Sequence, residues 1–73
     1  MPEELVQILL KTAPNTDVSA LTRETRLKAD LGLTSFDFIV LMFEIEGKYG
    51  VTFSGTENFI TVGDVLDFLG LKD

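Results

Sequence analysis

The chain contains no cysteine and no histidine among its 73 residues. Without cysteine it can form no disulfide bond and offers no thiol as a nucleophile. Without histidine it lacks the commonest general base and the commonest metal ligand. These two absences argue against an enzyme, and we predict no catalytic residue and no metal site.

The chain also lacks a long apolar segment and an excess of positive charge. Its longest apolar run, Phe38–Phe43, is much shorter than the roughly 20 residues that a membrane-spanning helix needs. The acidic start at Glu3 and Glu4 differs from the basic start of a secretory signal, so we expect a cytoplasmic protein with no membrane span. Because the net charge is −6 and phosphate binding needs a basic face, we expect no nucleic acid as a partner.

The negative charge is unevenly distributed along the sequence. Residues 1–29 carry as many basic as acidic side chains, so the whole net charge lies in residues 30–73. A basic surface on a partner protein would be attracted to the acidic part. Solubility alone also favours an acidic small protein, and this simpler explanation accounts for the charge without any partner.

What the chain does contain is enough apolar surface for one small core. Apolar residues make up 45% of the sequence, and no linker or repeat divides it, so we predict a single domain over residues 1–73. Three segments have helical periodicity, which predicts an all-α bundle, and we expect a monomer.

The first predicted helix runs from about residue 2 to residue 13, where Pro14 ends the pattern. One of its faces is predicted to pack on the core and contains Leu5, Ile8, Leu9 and Thr12.

The second predicted helix starts at Ser35, interpreted as the N-cap, and ends at Tyr49 before Gly50. The third follows Thr61, whose capping-box partner would be Asp64. Gly70 is the expected end of this last helix.

The connections between the helices are less clearly specified. Residues 14–34 indicate a long first loop, or a loop that contains a short helix around residues 17–22. Residues 51–60 have room for a turn and one further short helix; residues 51–53 could form a strand, but no partner strand is evident. The predicted anchors of the first loop on the core are Val18, Leu21, Leu27, Leu31 and Leu33.

The second helix is apolar on more than one side. Its main apolar side consists of Phe38, Leu41, Met42, Ile45 and Tyr49. A second stripe is formed by Phe36, Val40 and Phe43, at spacings of four and three residues. Two interpretations remain open at this point: both stripes lie in the core, or the second stripe contacts a partner.

The start of the second helix resembles a known signature. The stretch Asp30-Leu31-Gly32-Leu33-Thr34-Ser35-Phe36-Asp37 is similar to the Asp-Ser-Leu motif of acyl carrier proteins. The resemblance continues through the Glu44-Ile45-Glu46 stretch and through Ile60-Thr61-Val62-Gly63-Asp64, and it is weakest in residues 51–60.

The resemblance implies a carrier rather than a catalyst. A phosphopantetheinyl transferase would attach the 4'-phosphopantetheine arm of coenzyme A to Ser35, and the arm would hold an acyl group as a thioester. Such an imported thiol would account for the absence of catalytic residues in the chain. A helix N-terminus also suits a phosphodiester, because its free N–H groups and its dipole favour an anion.

The expected partners are the transferase and acyl-transferring or condensing enzymes with basic docking surfaces. The resemblance places their contact on the second helix. Steering is expected from Asp37, Glu44 and Glu46, and direct contact from Phe36, Val40 and Phe43.

Several positions depart from the family pattern. Thr34 stands where an aspartate is usual, Phe36 replaces a leucine, and Val40 and Gly47 replace common acidic residues. Phe38 occupies a position that is often small or polar, close to where acyl chains enter the bundle. The second helix is therefore more apolar than that of a housekeeping fatty-acid carrier, which favours an acyl carrier of a specialised pathway in fatty-acid or polyketide-type synthesis. An aminoacyl or peptidyl carrier and an unmodified helical interaction module are the alternatives.

Overall fold

A computed structural model describes residues 1–55 and 57–72. It contains three α-helices: α1, Glu3–Thr12; α2, Ser35–Tyr49; and α3, Val62–Leu69. A single 3-10 turn, Val18–Ala20, lies in the connection between α1 and α2. The all-α prediction is confirmed. The one short helix lies in the first loop rather than in residues 51–60, where the described residues form neither helix nor strand.

The helix ends follow local sequence chemistry. Thr61 caps α3 as predicted: its side chain accepts a hydrogen bond from the Asp64 backbone N–H, and the Asp64 carboxylate accepts one from the Thr61 backbone N–H. At the C-terminal end of α2, Gly50 has a φ of 67°, a left-handed conformation that favours glycine. Its N–H donates to the Glu46 carbonyl, which ends the helix at Tyr49 as predicted.

The core lies where the apolar faces of the three helices meet. Leu5 and Leu9 of α1, Leu41 and Ile45 of α2 and Leu66 of α3 are each at most 2% exposed. The predicted face of α1 is confirmed for Leu5, Leu9 and Ile8, whereas Thr12 at its end is only half-buried. The main side of α2 is likewise confirmed, because its other members pack against this core.

The long first loop is held by its leucines and by its backbone. Leu27 and Leu33 are buried, and Leu21 and Leu31 pack on the core, as predicted. The prediction for Val18 is wrong: it lies in the 3-10 turn and is 42% exposed, because that short turn has no buried face.

Backbone hydrogen bonds tie the first loop to the start of α3. The N–H of Val62 donates to the Thr25 carbonyl at 2.9 Å, and the N–H of Gly63 donates to the Arg23 carbonyl at 2.8 Å. In the other direction, the Leu27 N–H donates to the Ile60 carbonyl at 2.9 Å. A Cβ at position 63 would lie 2.9 Å from the Arg23 carbonyl oxygen, so this close approach requires glycine.

Candidate functional site

Ser35 is an exposed residue in the first turn of α2, but it is not the helix cap. The cap is Thr34, whose side-chain oxygen accepts a hydrogen bond from the Asp37 backbone N–H at 3.1 Å. The Asp37 carboxylate in turn accepts from the Thr34 backbone N–H at 3.0 Å. The prediction that Ser35 caps the helix is therefore wrong by one residue. The threonine that stands in place of the usual aspartate makes the capping box, and this leaves the Ser35 hydroxyl outside it.

The N-termini of α2 and α3 have capping boxes of the same kind, Thr with Asp three residues later, but their first backbone N–H groups have different surroundings. At α3, the first two backbone N–H groups are taken by carbonyls of the first loop. At α2, the N–H groups of Ser35 and Phe36 donate to no acceptor within residues 1–55 and 57–72. Helix N-termini with free N–H groups favour an anion. The start of α2 therefore offers an open anion-binding position beside an exposed hydroxyl.

A 4'-phosphopantetheine group fits this arrangement. It requires a hydroxyl that can form a phosphodiester and space around the resulting anion. Ser35 Oγ makes no hydrogen bond to the described residues, so a phosphodiester would displace no existing contact. When bound, the group would supply the thiol that the chain itself lacks.

The second apolar stripe of α2 faces away from the core. Phe36 is 72% exposed and Phe43 is 67% exposed, while Val40 is half-buried. Ile39, which the sequence analysis did not include in the stripe, is 51% exposed and belongs to the same surface. We call these four residues the apolar face of α2. The interpretation that both stripes lie in the core is wrong, because no element formed by residues 1–55 and 57–72 covers this face.

The three carboxylates predicted to steer partners all have contacts within the chain. Asp37 belongs to the capping box, and Glu44 forms an ion pair with Lys11 at 3.2 Å. Glu46 accepts a hydrogen bond from the Phe53 backbone N–H at 2.8 Å. Each of these groups therefore stabilises the fold locally, and steering by them remains a prediction.

A cleft of about 400 Å³ lies beside the first turns of α2. We call it the Phe38 cleft. The residues that line it are Arg26, Lys28, Ala29, Phe38, Glu57, Asn58, Phe59 and Ile60. Phe38 is half-buried and packs on the core. In the core, the space bordered by Leu41, Ile45 and Val65 leaves no volume that a water molecule could enter.

Comparisons with known proteins match the chain along most of its length. Residues 3–69 match the model of the phosphopantetheine attachment site family. Proteins named acyl carrier protein are similar to the chain: 35% identity in Onion yellows phytoplasma (strain OY-M), 37% in Phytoplasma australiense and 31% in Helicobacter pylori (strain G27). Each match covers 90% of this chain and 87–90% of the relative. No solved structure gives a significant match.

Within the described residues, no helix is long and apolar enough to cross a membrane.

Proposed function

Because this chain belongs to the acyl carrier protein family, whose domain is a phosphopantetheine attachment site, we propose that Ser35 carries the 4'-phosphopantetheine arm. Members of this family are carriers and not enzymes. The observation that carries the assignment is the position of Ser35: an exposed hydroxyl, free of the capping box, in the first turn of a helix whose leading N–H groups are open.

The attachment follows from simple group transfer. The Ser35 hydroxyl oxygen forms a bond to the phosphorus next to the pantetheine of coenzyme A, and the hydroxyl proton is lost. The anhydride bond to the other phosphate breaks, and adenosine 3',5'-bisphosphate leaves. A phosphopantetheinyl transferase supplies the catalytic groups, since the chain has no histidine or cysteine. The negative charge left on Ser35 is favoured by the dipole of α2.

The proposed role is to carry acyl intermediates as thioesters in fatty-acid or polyketide-type synthesis. The exposed apolar face of α2, which has Phe36 and Phe43 where a uniformly charged surface would carry acids, supports a specialised set of partner enzymes. We place the contact with these enzymes on the surface around Ser35 that contains Phe36 and Phe43. Cytoplasmic location is part of the same proposal, because the coenzyme A needed for modification is a metabolite of that compartment.

The intact mass of the protein tests this function. Incubation with coenzyme A and a broad-specificity transferase should add one phosphopantetheine to the wild type and none to Ser35→Ala. An unmodified wild type would favour the helical interaction module. Purification from the native cell with the cargo attached would separate an acyl carrier from an aminoacyl carrier by mass.

A further inference from the structure

Lys28 differs from the other basic side chains of residues 1–55. Lys11 pairs with Glu44, and Arg26 pairs with Asp30. Arg23 and Lys48 likewise have carboxylate partners on other elements. Lys28 forms no ion pair within residues 1–55 and 57–72, and its Nζ lies 5.1 Å from the centre of the Phe38 ring. In a chain of net charge −6, a cation left over an aromatic ring is available to a ligand.

The surroundings of Lys28 form a site rather than a flat surface. Lys28 is at the Phe38 cleft, where Phe38, Phe59 and Ile60 supply apolar walls and Asn58 supplies an amide. Apolar walls with a few converging polar groups are typical of small-ligand sites. The lining contains two basic side chains, Arg26 and Lys28, and one carboxylate, Glu57, which accepts hydrogen bonds from Ser54 and Gly55. The charged side chains of the cleft therefore sum to +1, and Lys28 is the cation among them that forms no ion pair with the described residues.

The Phe38 cleft is also within reach of the attachment site. Phe38 follows Ser35 by three residues on α2, which corresponds to about 4.5 Å along the helix axis and to the same side of the helix. The core offers no alternative place for a chain, because the small space among Leu41, Ile45 and Val65 admits not even a water molecule. A group held on Ser35 that folds back onto the protein therefore meets this cleft, and its far end remains near the surface and near Lys28.

We propose that the Phe38 cleft binds the distal end of the cargo and that Lys28 selects acyl groups ending in a carboxylate. This rests on the proposed function of Ser35. The free energy gained by burying an alkyl chain is proportional to the apolar area removed from water. Here the core has no space for such a chain unless packed side chains are displaced. A terminal carboxylate can stay at the partly hydrated mouth and pair with Lys28. An exposed ion pair of this kind favours the bound, ionised carboxylate by about two- to fivefold.

A matched pair of cargoes tests the inference. The transferase loads the protein from glutaryl-coenzyme A or from valeryl-coenzyme A. Both acyl groups have five carbons; the fifth is a carboxylate in glutaryl and a methyl group in valeryl. The glutaryl carboxyl is labelled with 13C and titrated by NMR. We expect its titration midpoint to lie about 0.3–0.7 pH unit below that of glutaryl-pantetheine free in solution, the equivalent of the two- to fivefold preference.

Three variants identify the cation responsible. Lys28→Gln should return the midpoint to the free value, and Lys28→Arg should keep it low. Lys72→Gln removes the same charge from a residue that does not line the cleft and should leave the shift in place. Lys28 is exposed, so Lys28→Gln loaded with valeryl should remain folded, with a circular dichroism spectrum like that of wild type.

Two results overturn the inference while leaving the carrier function intact. One is a loaded wild type whose glutaryl carboxyl titrates as in free solution. The other is an equal effect of Lys28→Gln and Lys72→Gln, which would assign the shift to the general field of the protein. Failure of the wild type to gain the arm would instead refute the proposed function, and this inference with it.

Discussion

The capping geometry at the start of α2 predicts that two neighbouring hydroxyls have separate roles. Thr34→Ala removes the side-chain oxygen that accepts from the Asp37 N–H at 3.1 Å. Losing such a cap costs about 0.5–2 kcal/mol. The reverse bond, from the Thr34 N–H to the Asp37 carboxylate at 3.0 Å, uses the backbone and survives. We therefore expect about 1 kcal/mol of destabilisation, which lowers the melting temperature of a domain this small by about 4–8 °C.

Ser35→Ala should leave the stability of the fold nearly unchanged and abolish the modification, whereas Thr34→Ala should lower stability and leave modification intact. The Ser35 hydroxyl makes no hydrogen bond to the described residues, and alanine is a slightly better helix former than serine. The free energy of unfolding should therefore change by no more than about 0.5 kcal/mol. The same variant should accept no phosphopantetheine, whereas Thr34→Ala should still accept it.

Thermal unfolding by circular dichroism and intact mass after incubation with coenzyme A and transferase measure the two properties. Thr61→Ala is the matched control, because Thr61 makes the same 3.1 Å capping bond on a different helix, α3, from the one that carries Ser35. It should be destabilised like Thr34→Ala and be modified normally. The reasoning fails if Ser35→Ala is destabilised as much as Thr34→Ala, since its hydroxyl would then be the cap. It also fails if Ser35→Ala still gains the arm.

Three further predictions concern the cargo, the partner surface and acid stability. Phe38 is half-buried and packs on a core with no free volume, and its truncation would open space there. The melting temperature should therefore rise with acyl chain length in Phe38→Ala but not in wild type; a steady rise in wild type would show that Phe38 is no obstacle. Phe43→Ser should speed dissociation from a partner enzyme by removing apolar contact, while Glu44→Lys should slow association and weaken its dependence on salt; in stopped-flow measurements, rates unchanged by either variant would contradict the proposed surface. Hydrogen bonds from the Ser54 backbone N–H and from neighbouring groups lower the pKa of Glu57 to about 2 from 4.5. Because the folded-state pKa is the lower one, this contribution to stability is present above pH 4.5 and is lost as the pH falls towards 2, so urea unfolding of Glu57→Gln should be less sensitive to pH in that window than wild type.

Local sequence signals predicted the helices well, because each helix end depends on residues next to it. Pro14, Gly50 and Gly70 stop the three helices where periodicity ends, and the Thr61–Asp64 pair forms the predicted box. The cap of α2 was assigned one residue too late. Thr34 and Ser35 are both good caps, and a single sequence does not show which hydroxyl lies within reach of the Asp37 N–H. The spacing of Thr34 and Asp37, identical to that of Thr61 and Asp64, was the signal that could have resolved it.

The exposed surface of α2 was less predictable. Periodicity showed that Phe36, Val40 and Phe43 lie together, but it did not show whether another element covers them. It also missed Ile39, which lies between the two stripes on the helical wheel and is half exposed. Burial depends on the number and placement of elements around a helix, which is a property of the whole chain.

The three helices, most of their ends and the serine that the family motif indicates could be predicted from the sequence. These follow from composition and from interactions within a few residues of each other. The tertiary structure was needed to show that the first loop closes the N-terminus of α3 and leaves that of α2 open. The loop carbonyls meet Val62 and Gly63 across about 40 residues of chain. The tertiary structure was also needed to show that Lys28 lies over Phe38 at a cleft. Such contacts between distant residues depend on how the loop packs on the core, and no local pattern specifies them.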